Sequence, residues 1–354
     1  MIYAPVVIPT LNRYAHLKRG LDSLAANSWA KFTEVFVALD YPPNDKYVEG
    51  WQKTKAMLSA YPRDAFKNFT VVERDCNYGQ GRNSKEVISK YVIPNYDRYI
   101  SAEDDIEFAP NFLEYMDKCL DYFKDDDSVQ AVCGYSYPLS WKLSDGSTAF
   151  LSQATYSAWG TGQWVDKFYN QAIKDIKEKY LLRNFERAFK EGLVDKMIDG
   201  RRAEYIAYAT IGAGDKEMER GTDMALGPYL LLSGKHVVIP SVTKTRNLGF
   251  DGTGLGCSDI ENAQGTHSMD YDYANQPIDT ASSFKLILEP DSANIEANHQ
   301  LLSDFLFVPP KKRVFEKIGR NVYSTFGANG CKVAKGLYRM VRAIYRKVRA
   351  LRGK

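Results

Sequence analysis

Short apolar runs alternate with polar stretches of helical spacing through the first third of the chain. Tyr3-Ala4-Pro5-Val6-Val7-Ile8-Pro9 is apolar and β-branched and ends at Thr10-Leu11-Asn12-Arg13. That pattern predicts a buried first strand running into a polar loop. Leu17, Leu21 and Leu24 then recur at helical spacing, with Lys18, Arg19 and Asp22 on other faces. Glu34 to Asp40 predicts a second strand closed by a Tyr-Pro-Pro-Asn turn, Phe69 to Arg74 a third, and Tyr96 to Ala102 a fourth. Strand–helix alternation of this kind predicts an α/β fold, with a mainly parallel sheet flanked by helices. Val129 to Gly134 and His236 to Pro240 predict two later strands, and Lys167 to Lys196 carries helical periodicity. The stretch from Tyr135 to Trp164, rich in Tyr, Ser, Trp and Gly, reads as functional loops. Residues 252 to 275 also read as a loop, and Pro309 to Arg313 as a linker.

The fourth strand delivers Glu103-Asp104-Asp105. Three carboxylates at the end of a buried strand repel one another and lose hydration, so they call for a cation. A divalent ion with oxygen ligands, Mg2+ or Mn2+, fits best, and such ions commonly arrive bridging substrate phosphates. The carboxyl end of a sheet strand is also where open α/β sheets bind ligands. A plain acidic turn is the competing explanation. No Gly-x-Gly-x-x-Gly follows the first strand and no Walker lysine motif occurs, so metal and side chains must handle the phosphates. Asp125-Asp126-Asp127 follows a helical run and precedes a strand, and reads as a solvated turn.

Four stretches together resemble the GT-A type nucleotide-sugar glycosyltransferases, in particular the N-acetylglucosaminyltransferase I branch. They are VIPTLNR from Val7, VALD from Val37, AEDDIEFAPNFLEY from Ala102 and IPSVTKTRNLGFDGTG from Ile239. The resemblance implies a GT-A fold and an inverting, metal-dependent transfer from a UDP-sugar to a glycan or lipid-linked acceptor, in surface-polysaccharide synthesis. It makes Asp105 the metal ligand, with Glu103 and Asp104 as donor contacts. Asp40 matches a position that accepts from the uracil ring N–H, and Arg13 a nucleotide-contacting base. Arg82 is a further candidate for base or phosphate. Asp223 resembles the catalytic base, with Glu219 as its rival four residues upstream. Tryptophans that surround the family's catalytic aspartate are absent here, which leaves the acceptor open. Trp159 and Gly160 are expected to floor the sugar pocket, although a core tryptophan explains Trp159 almost as well. The implied division is a nucleotide-sugar half at 1–130, an acceptor half at 131–308 with a helical insertion at 167–214, and a tail at 309–354.

The net charge of +3 hides a division. Residues 331 to 354 hold nine Lys or Arg and no acid, and without them 38 bases face 44 acids. Within this tail Val333, Leu337, Met340, Val341, Ile344, Val348 and Leu351 fall at steps of three and four, with Lys335, Arg339, Arg342, Arg346, Arg349 and Lys354 opposite. That is the pattern of a basic amphipathic helix on an anionic membrane surface. Packing on the protein's own surface is the alternative; nucleic acid would not require so regular an apolar stripe. The five cysteines are scattered and odd in number, so they read as reduced thiols. With a strand beginning near the first residue and no apolar run long enough to span a bilayer, a cytosolic, peripheral protein is expected. Two other functions compete. A sugar nucleotidyltransferase would want glycines in the first loop, which Thr10-Leu11-Asn12-Arg13 lacks. A non-enzymatic membrane scaffold would have no need of Asp105 and Asp223.

Overall fold

Period-two alternation in the early strands sets the layering. The structure, a computed structural model, describes residues 2–153, 155–179, 183–197, 199–212, 223–254, 271–306 and 310–352. Strands β1 (Val6–Thr10), β2 (Glu34–Leu39), β3 (Asn68–Glu73) and β4 (Arg98–Ser101) are joined by α1 (Tyr14–Ala25), α2 (Val48–Ala60) and α3 (Gln80–Val87). Then come β5 (Ile106–Phe108), α4 (Phe112–Tyr122), β6 (Val129–Cys133), β7 (Ala149–Ser152) and β8 (Thr161–Trp164). Helices α5 (Ile173–Lys179), α6 (Arg183–Lys190), α7 (Asp199–Ile211) and α8 (Asp223–Ser233) lead to β9 (His236–Pro240) and β10 (Thr245–Asn247). Helix α9 (Ser292–Phe305) and the kinked helix α10 (Pro310–Arg352), broken by non-helical backbone at Gly327 with φ 60°, follow.

The main sheet has eight strands in the order β3-β2-β1-β4-β8-β6-β9-β7. Neighbours β3, β2, β1 and β4 are parallel, as are β6 and β9, while β8 and β7 run against them. Successive side chains point to opposite faces of a strand. Val6, Ile8, Val35, Val37 and Ile100 therefore share one core with Leu17, Leu21 and Leu24 of α1. Val7, Phe36, Ala38 and Tyr99 meet Val87, Ile88 and Val92 on the other face. Farther along the sheet, Ala131, Cys133, Phe150, Val237 and Ile239 pack on the helical layer of α5 to α8. The mixed, mainly parallel sheet flanked by helices is the arrangement the sequence pattern predicts.

Three local expectations change. The stretch Tyr135 to Trp164, read as loops, contains β7 and β8, and β8 is inserted between β4 and β6. Its sequence, Thr-Gly-Gln-Trp, hides the strand because its polar groups are satisfied inside the core. Gln163 joins the hydroxyls of Tyr99 and Tyr156, and Thr161 donates to the Ser157 carbonyl. The linker expected at 309–313 is helical from Pro310, where proline's missing N–H costs nothing at a helix start. Of the loop expected at 252–275, residues 255–270 lie outside the described ones. Asp125-Asp126-Asp127 does form an exposed turn, with Asp126 accepting from the Ser128 N–H at 2.9 Å.

Helix α1 lies close on the segment that follows the acidic cluster. A Cβ at Gly20 would stand 2.7 Å from the Ile106 carbonyl oxygen, which is backbone and cannot turn away. Gly20→Ala should therefore cost about 1–3 kcal/mol, the usual range for overpacking. Gly81→Ala in α3 meets nothing within 4 Å and should be neutral or slightly stabilising. Urea denaturation of the two variants decides; equal midpoints would mean that α1 does not need this close approach.

Candidate functional site

The first and fourth strands lie side by side in the sheet although three helices separate them in the chain. Strand order therefore diverges from β1, to β2 on one side and β4 on the other, which makes the crevice beyond their carboxyl ends the ligand position of an open α/β sheet. A cleft of about 430 Å³ opens there, within the range of small-molecule sites. Thr10, Asn12 and Arg13 enter it after β1, Asp40 after β2, and Glu103, Asp104 and Asp105 after β4. Trp159, Asn247, Gly249 and Phe250 form the facing wall.

Asp104 and Asp105 are both buried, at 7 % and 6 % exposure, in the turn between β4 and β5. One guanidinium serves both. Arg13 Nη2 bonds Asp104 Oδ1, and Arg13 Nη1 stands 2.9 Å from Asp105 Oδ2. The Thr10 hydroxyl donates to Asp104 Oδ2 at 2.8 Å. Asp105 Oδ1, by contrast, is buried without a hydrogen-bond partner. Burial pushes the Asp105 carboxyl above its ordinary range; Arg13 pulls it down and Asp104 adds to the rise. Burial depresses the Arg13 guanidinium, but Asp104 and Asp105 more than reverse that and raise it. The β5–β10 ribbon closes over the pair, with the Leu248 N–H donating to the Asp105 carbonyl at 2.8 Å. A side chain at Gly249 would collide with Asp105 Oδ2, so a glycine there lets the backbone come this near.

This donor set fits a divalent metal in one respect, the unpartnered buried oxygen of Asp105. Among the described residues no group of three or more His, Cys, Asp and Glu could hold an ion alone. The protein would then supply Asp105, whose Oδ1 is the oxygen left open. Phosphate oxygens and water would complete the shell, as is usual for Mg2+ at phosphate sites.

Asp40 is engaged differently from the expected base contact. Its Oδ1 accepts from the N–H groups of Tyr41 at 2.9 Å and Tyr78 at 2.8 Å. Its Oδ2 accepts from the Gly79 N–H at 2.8 Å and Asn77 Nδ2 at 3.2 Å. An ionised carboxylate offers about four acceptor positions, and here the chain itself fills them. Asp40 thus fastens the 77–79 loop, whose Gly79 has φ 72°, at the edge of the cleft.

The remaining candidates divide. Glu103 lines the cleft, with Gln80 Nε2 3.4 Å from its Oε1. Arg82 does not line it; its guanidinium lies 3.7 Å from the Tyr78 ring centre and bonds Glu86 at 3.0 Å. Trp159 lines the cleft and also packs edge-on against Tyr135, Phe250 and Tyr273. Gly160 sits behind that wall: with φ 75° and Phe112 and Thr245 close by, it serves the backbone and not the cleft surface. Asp223 is the first residue of α8. Glu219 lies outside the described residues. Thr10, Asn77, Asn247, Gly249 and Phe250 were not singled out from sequence. All but Asn77 fall in the stretches that carry the family resemblance, but their contacts depend on chain crossings that no local pattern reveals.

No family model matches the sequence, and no curated protein matches it significantly. Solved structures do show likeness. Staphylococcus aureus TarS is 14 % identical with a TM-score of 0.33, covering 59 % of this chain and 43 % of that one. TarS 1–349 in complex with UDP-GlcNAc is 18 % identical with a TM-score of 0.31, covering 50 % of this chain and 48 % of that one. The mannosyltransferase PcManGT of Pyrobaculum calidifontis, in complex with GDP-Man and Mn2+, is 11 % identical with a TM-score of 0.37, covering 94 % of this chain and 86 % of that one. The present chain thus spans less than half of the first TarS structure. At these TM-scores the likenesses carry no argument about this chain, and its architecture rests on its own sheet.

The four bonds at Asp40 separate a structural from a recognition role. Asp40→Asn places an NH2 group against N–H donors and should cost about 1–3 kcal/mol of stability, the penalty for buried donors left unpaired. Melting temperature should fall accordingly. A variant of wild-type stability would mean that these bonds do not hold the loop and would return Asp40 to a ligand contact.

Proposed function

We propose that the protein is an inverting, metal-dependent glycosyltransferase that moves a sugar from a UDP-sugar to a glycan or lipid-linked acceptor. The observation that carries this reading is the buried Asp104–Asp105 pair, with one oxygen unpartnered, in a cleft at the carboxyl ends of β1, β2 and β4. Two adjacent buried carboxylates are costly to keep, and a diphosphate with its divalent cation is the ligand that would use them.

Each part of the reaction then has its residues. Bound at Asp105, Mn2+ or Mg2+ would offset the charge that develops on the departing diphosphate. Glu103 and Asp104 are assigned to the ribose and sugar hydroxyls, and Arg13 to the phosphates. Trp159 and Phe250 give the sugar an apolar wall. Asp223 is assigned as general base: it takes the acceptor hydroxyl proton as that oxygen attacks the anomeric carbon, opposite the breaking bond to the diphosphate. Glu219 is the alternative base.

We also assign the tail to an anionic membrane surface, as in surface-polysaccharide synthesis. The early part of α10 is tied down by Glu316 to Arg202 at 2.8 Å and Arg320 to Asp195 at 2.8 Å, and Cys331 is fully buried. Beyond it, Val333, Leu337, Met340, Val341, Ile344 and Tyr345 are 54–64 % exposed. A basic helix with an exposed apolar stripe matches the interfacial class of membrane-binding helices. Among the described residues no helix is long and apolar enough to cross a membrane.

A panel of UDP-sugars screened for Mn2+-dependent hydrolysis, or for protection against heating, tests the donor class. Within that assay, Asp105→Asn should abolish metal-dependent UDP binding and activity together. Asp223→Asn should leave donor binding nearly intact while slowing transfer roughly 10²–10⁴-fold, the scale of general-base catalysis. Near-normal turnover of Asp105→Asn with Mn2+ would remove the metal assignment, and lost donor affinity in Asp223→Asn would return Glu219 to favour.

Deleting 332–354 keeps buried Cys331 and removes the exposed stripe. Transfer to a soluble acceptor should persist, while co-sedimentation with anionic vesicles should vanish. For the full chain, that sedimentation should weaken as salt rises, because screening shortens the reach of each charge. Continued sedimentation of the truncated protein would refute the membrane assignment.

A further inference from the structure

The cation that stands between Asp104 and Asp105 in this structure belongs to the chain itself. We propose that Arg13 is an exchangeable counter-ion: it neutralises the acidic pair until a divalent cation and a nucleoside diphosphate enter together, and then moves from Asp105 to the phosphates. The inference rests on reading the cleft as a nucleotide-sugar site and concerns the order and coupling of binding within it.

Geometry supports the exchange. A single planar guanidinium presents one nitrogen to each carboxylate, Nη2 to Asp104 and Nη1 to Asp105. Asp104 has a second partner in Thr10, which holds its other oxygen, Oδ2, so it keeps one hydrogen bond if Arg13 leaves. Asp105 has only half its carboxylate engaged by side chains, and its Oδ1 has no partner at all. The two acids are therefore unequal, and Asp105 is the one that gains a full set of contacts from an incoming cation. Arg13 is also built to swing. Its backbone is fixed at the start of α1 by the Leu17 N–H donating to its carbonyl at 3.0 Å, and its side chain caps nothing. The guanidinium reaches the acids through a flexible stem, with 17 % of the side chain exposed.

Charge gives the exchange its direction. Asp104, Asp105 and Arg13 together leave a single negative charge, and Glu103 in the same cleft adds another. Adding a divalent ion alone sets two positive charges against Arg13 at close range, where like charges repel strongly away from bulk water. Adding the diphosphate with the ion restores a negative balance and offers Arg13 oxygens to bind bidentately, the geometry its fork favours. Metal and nucleotide should then each promote the other's binding, by the same factor.

Calorimetric titration of the full chain with Mn2+, with and without UDP, tests this directly. For the wild type, UDP should tighten Mn2+ binding at least tenfold, and Mn2+ should tighten UDP binding equally. Arg13→Gln removes the resident cation, so it should bind Mn2+ alone at least tenfold more tightly and show much less coupling. Arg13→Lys retains one charge that cannot bridge both acids and should fall between. Thermal melting checks folding: Mn2+ alone should raise the melting temperature of Arg13→Gln more than that of the wild type. A wild type that binds both UDP and Mn2+ but shows no coupling between them would overturn the proposal, with no variant needed. So would an Arg13→Gln protein that binds Mn2+ alone no better than wild type. UDP binding that survives chelation of all metal but is lost in Arg13→Gln would also overturn it, making Arg13 a permanent replacement for the ion. Failure of the wild type to bind UDP under any metal condition strikes instead at the reading of the cleft, and the Mn2+-alone comparison still decides the exchange.

Discussion

Two carboxylates held side by side in a buried turn dominate the energetics of this protein. Asp104 and Asp105 have lost most of their water, and leaving either without its partner cation would cost about 3–5 kcal/mol by analogy with broken buried ion pairs. The surrounding architecture answers that cost. Parallel pairing of β1 with β4 brings Thr10 and Arg13 against the acids, from almost a hundred residues away in sequence. Gly20 lets α1 approach the Ile106 carbonyl, and Gly249 lets the β5–β10 ribbon close from the other side. Such an expense has a use only if a ligand recovers it, because apolar residues of similar volume would stabilise the same turn more cheaply. The unsatisfied Asp105 Oδ1 shows that the protein alone does not recover it fully.

The edge of the cleft follows a different rule. Around Asp40 every acceptor position is filled, and the result is a fixed loop rather than an open contact point. Asn83 extends this order: its Nδ2 donates to the Ala38 carbonyl at 2.7 Å and its Oδ1 accepts from Arg74 Nε at 2.8 Å. A saturated network holds its geometry, whereas the acidic pair leaves one of its four oxygens, Asp105 Oδ1, without a partner. The cleft therefore combines a saturated rim with a centre that the protein leaves incompletely paired, and the exchange proposed for Arg13 would use that difference.

The strands that build the site were legible because they obey simple periodicities. Val6 to Thr10, Glu34 to Leu39 and Arg98 to Ser101 are apolar runs bounded by polar loops, and the functional groups lie where those runs stop. The acidic cluster could be read as chemistry because carboxylates at a strand end conflict with burial. Other parts were not legible. Strand β8 has no apolar alternation, since Gln163 and Thr161 are buried through hydrogen bonds that only the assembled sheet supplies. Gly160 looked like a pocket residue from its neighbour Trp159, yet its positive φ and its packing on Phe112 and Thr245 give it a backbone role. The bridging of both acids by Arg13 depends on the β1–β4 adjacency, and a side-chain contact across that distance leaves no local trace.

The helical layer on the far side of the sheet joins two assignments that the sequence treats separately. Leu226, Tyr229 and Leu230 of α8, Tyr205 and Ile206 of α7, and Cys331 of α10 all belong to one buried cluster. Asp223 opens α8, and the exposed stripe of α10 begins two residues after Cys331. At Gly319 a side chain would collide with Thr210, so α10 sits tightly on α7 before it reaches the stripe. A base carried on α8 and a lipid-facing helix carried on α10 would then be anchored to the same close-packed core, whose interior resists deformation. If that helix lies on a membrane and Asp223 acts as the proposed base, the height of the chemistry above the lipid is set by side-chain packing and not by a flexible tether. Such a constraint matters most when the acceptor is itself lipid-linked, because its reacting hydroxyl stands at a nearly fixed distance from the surface.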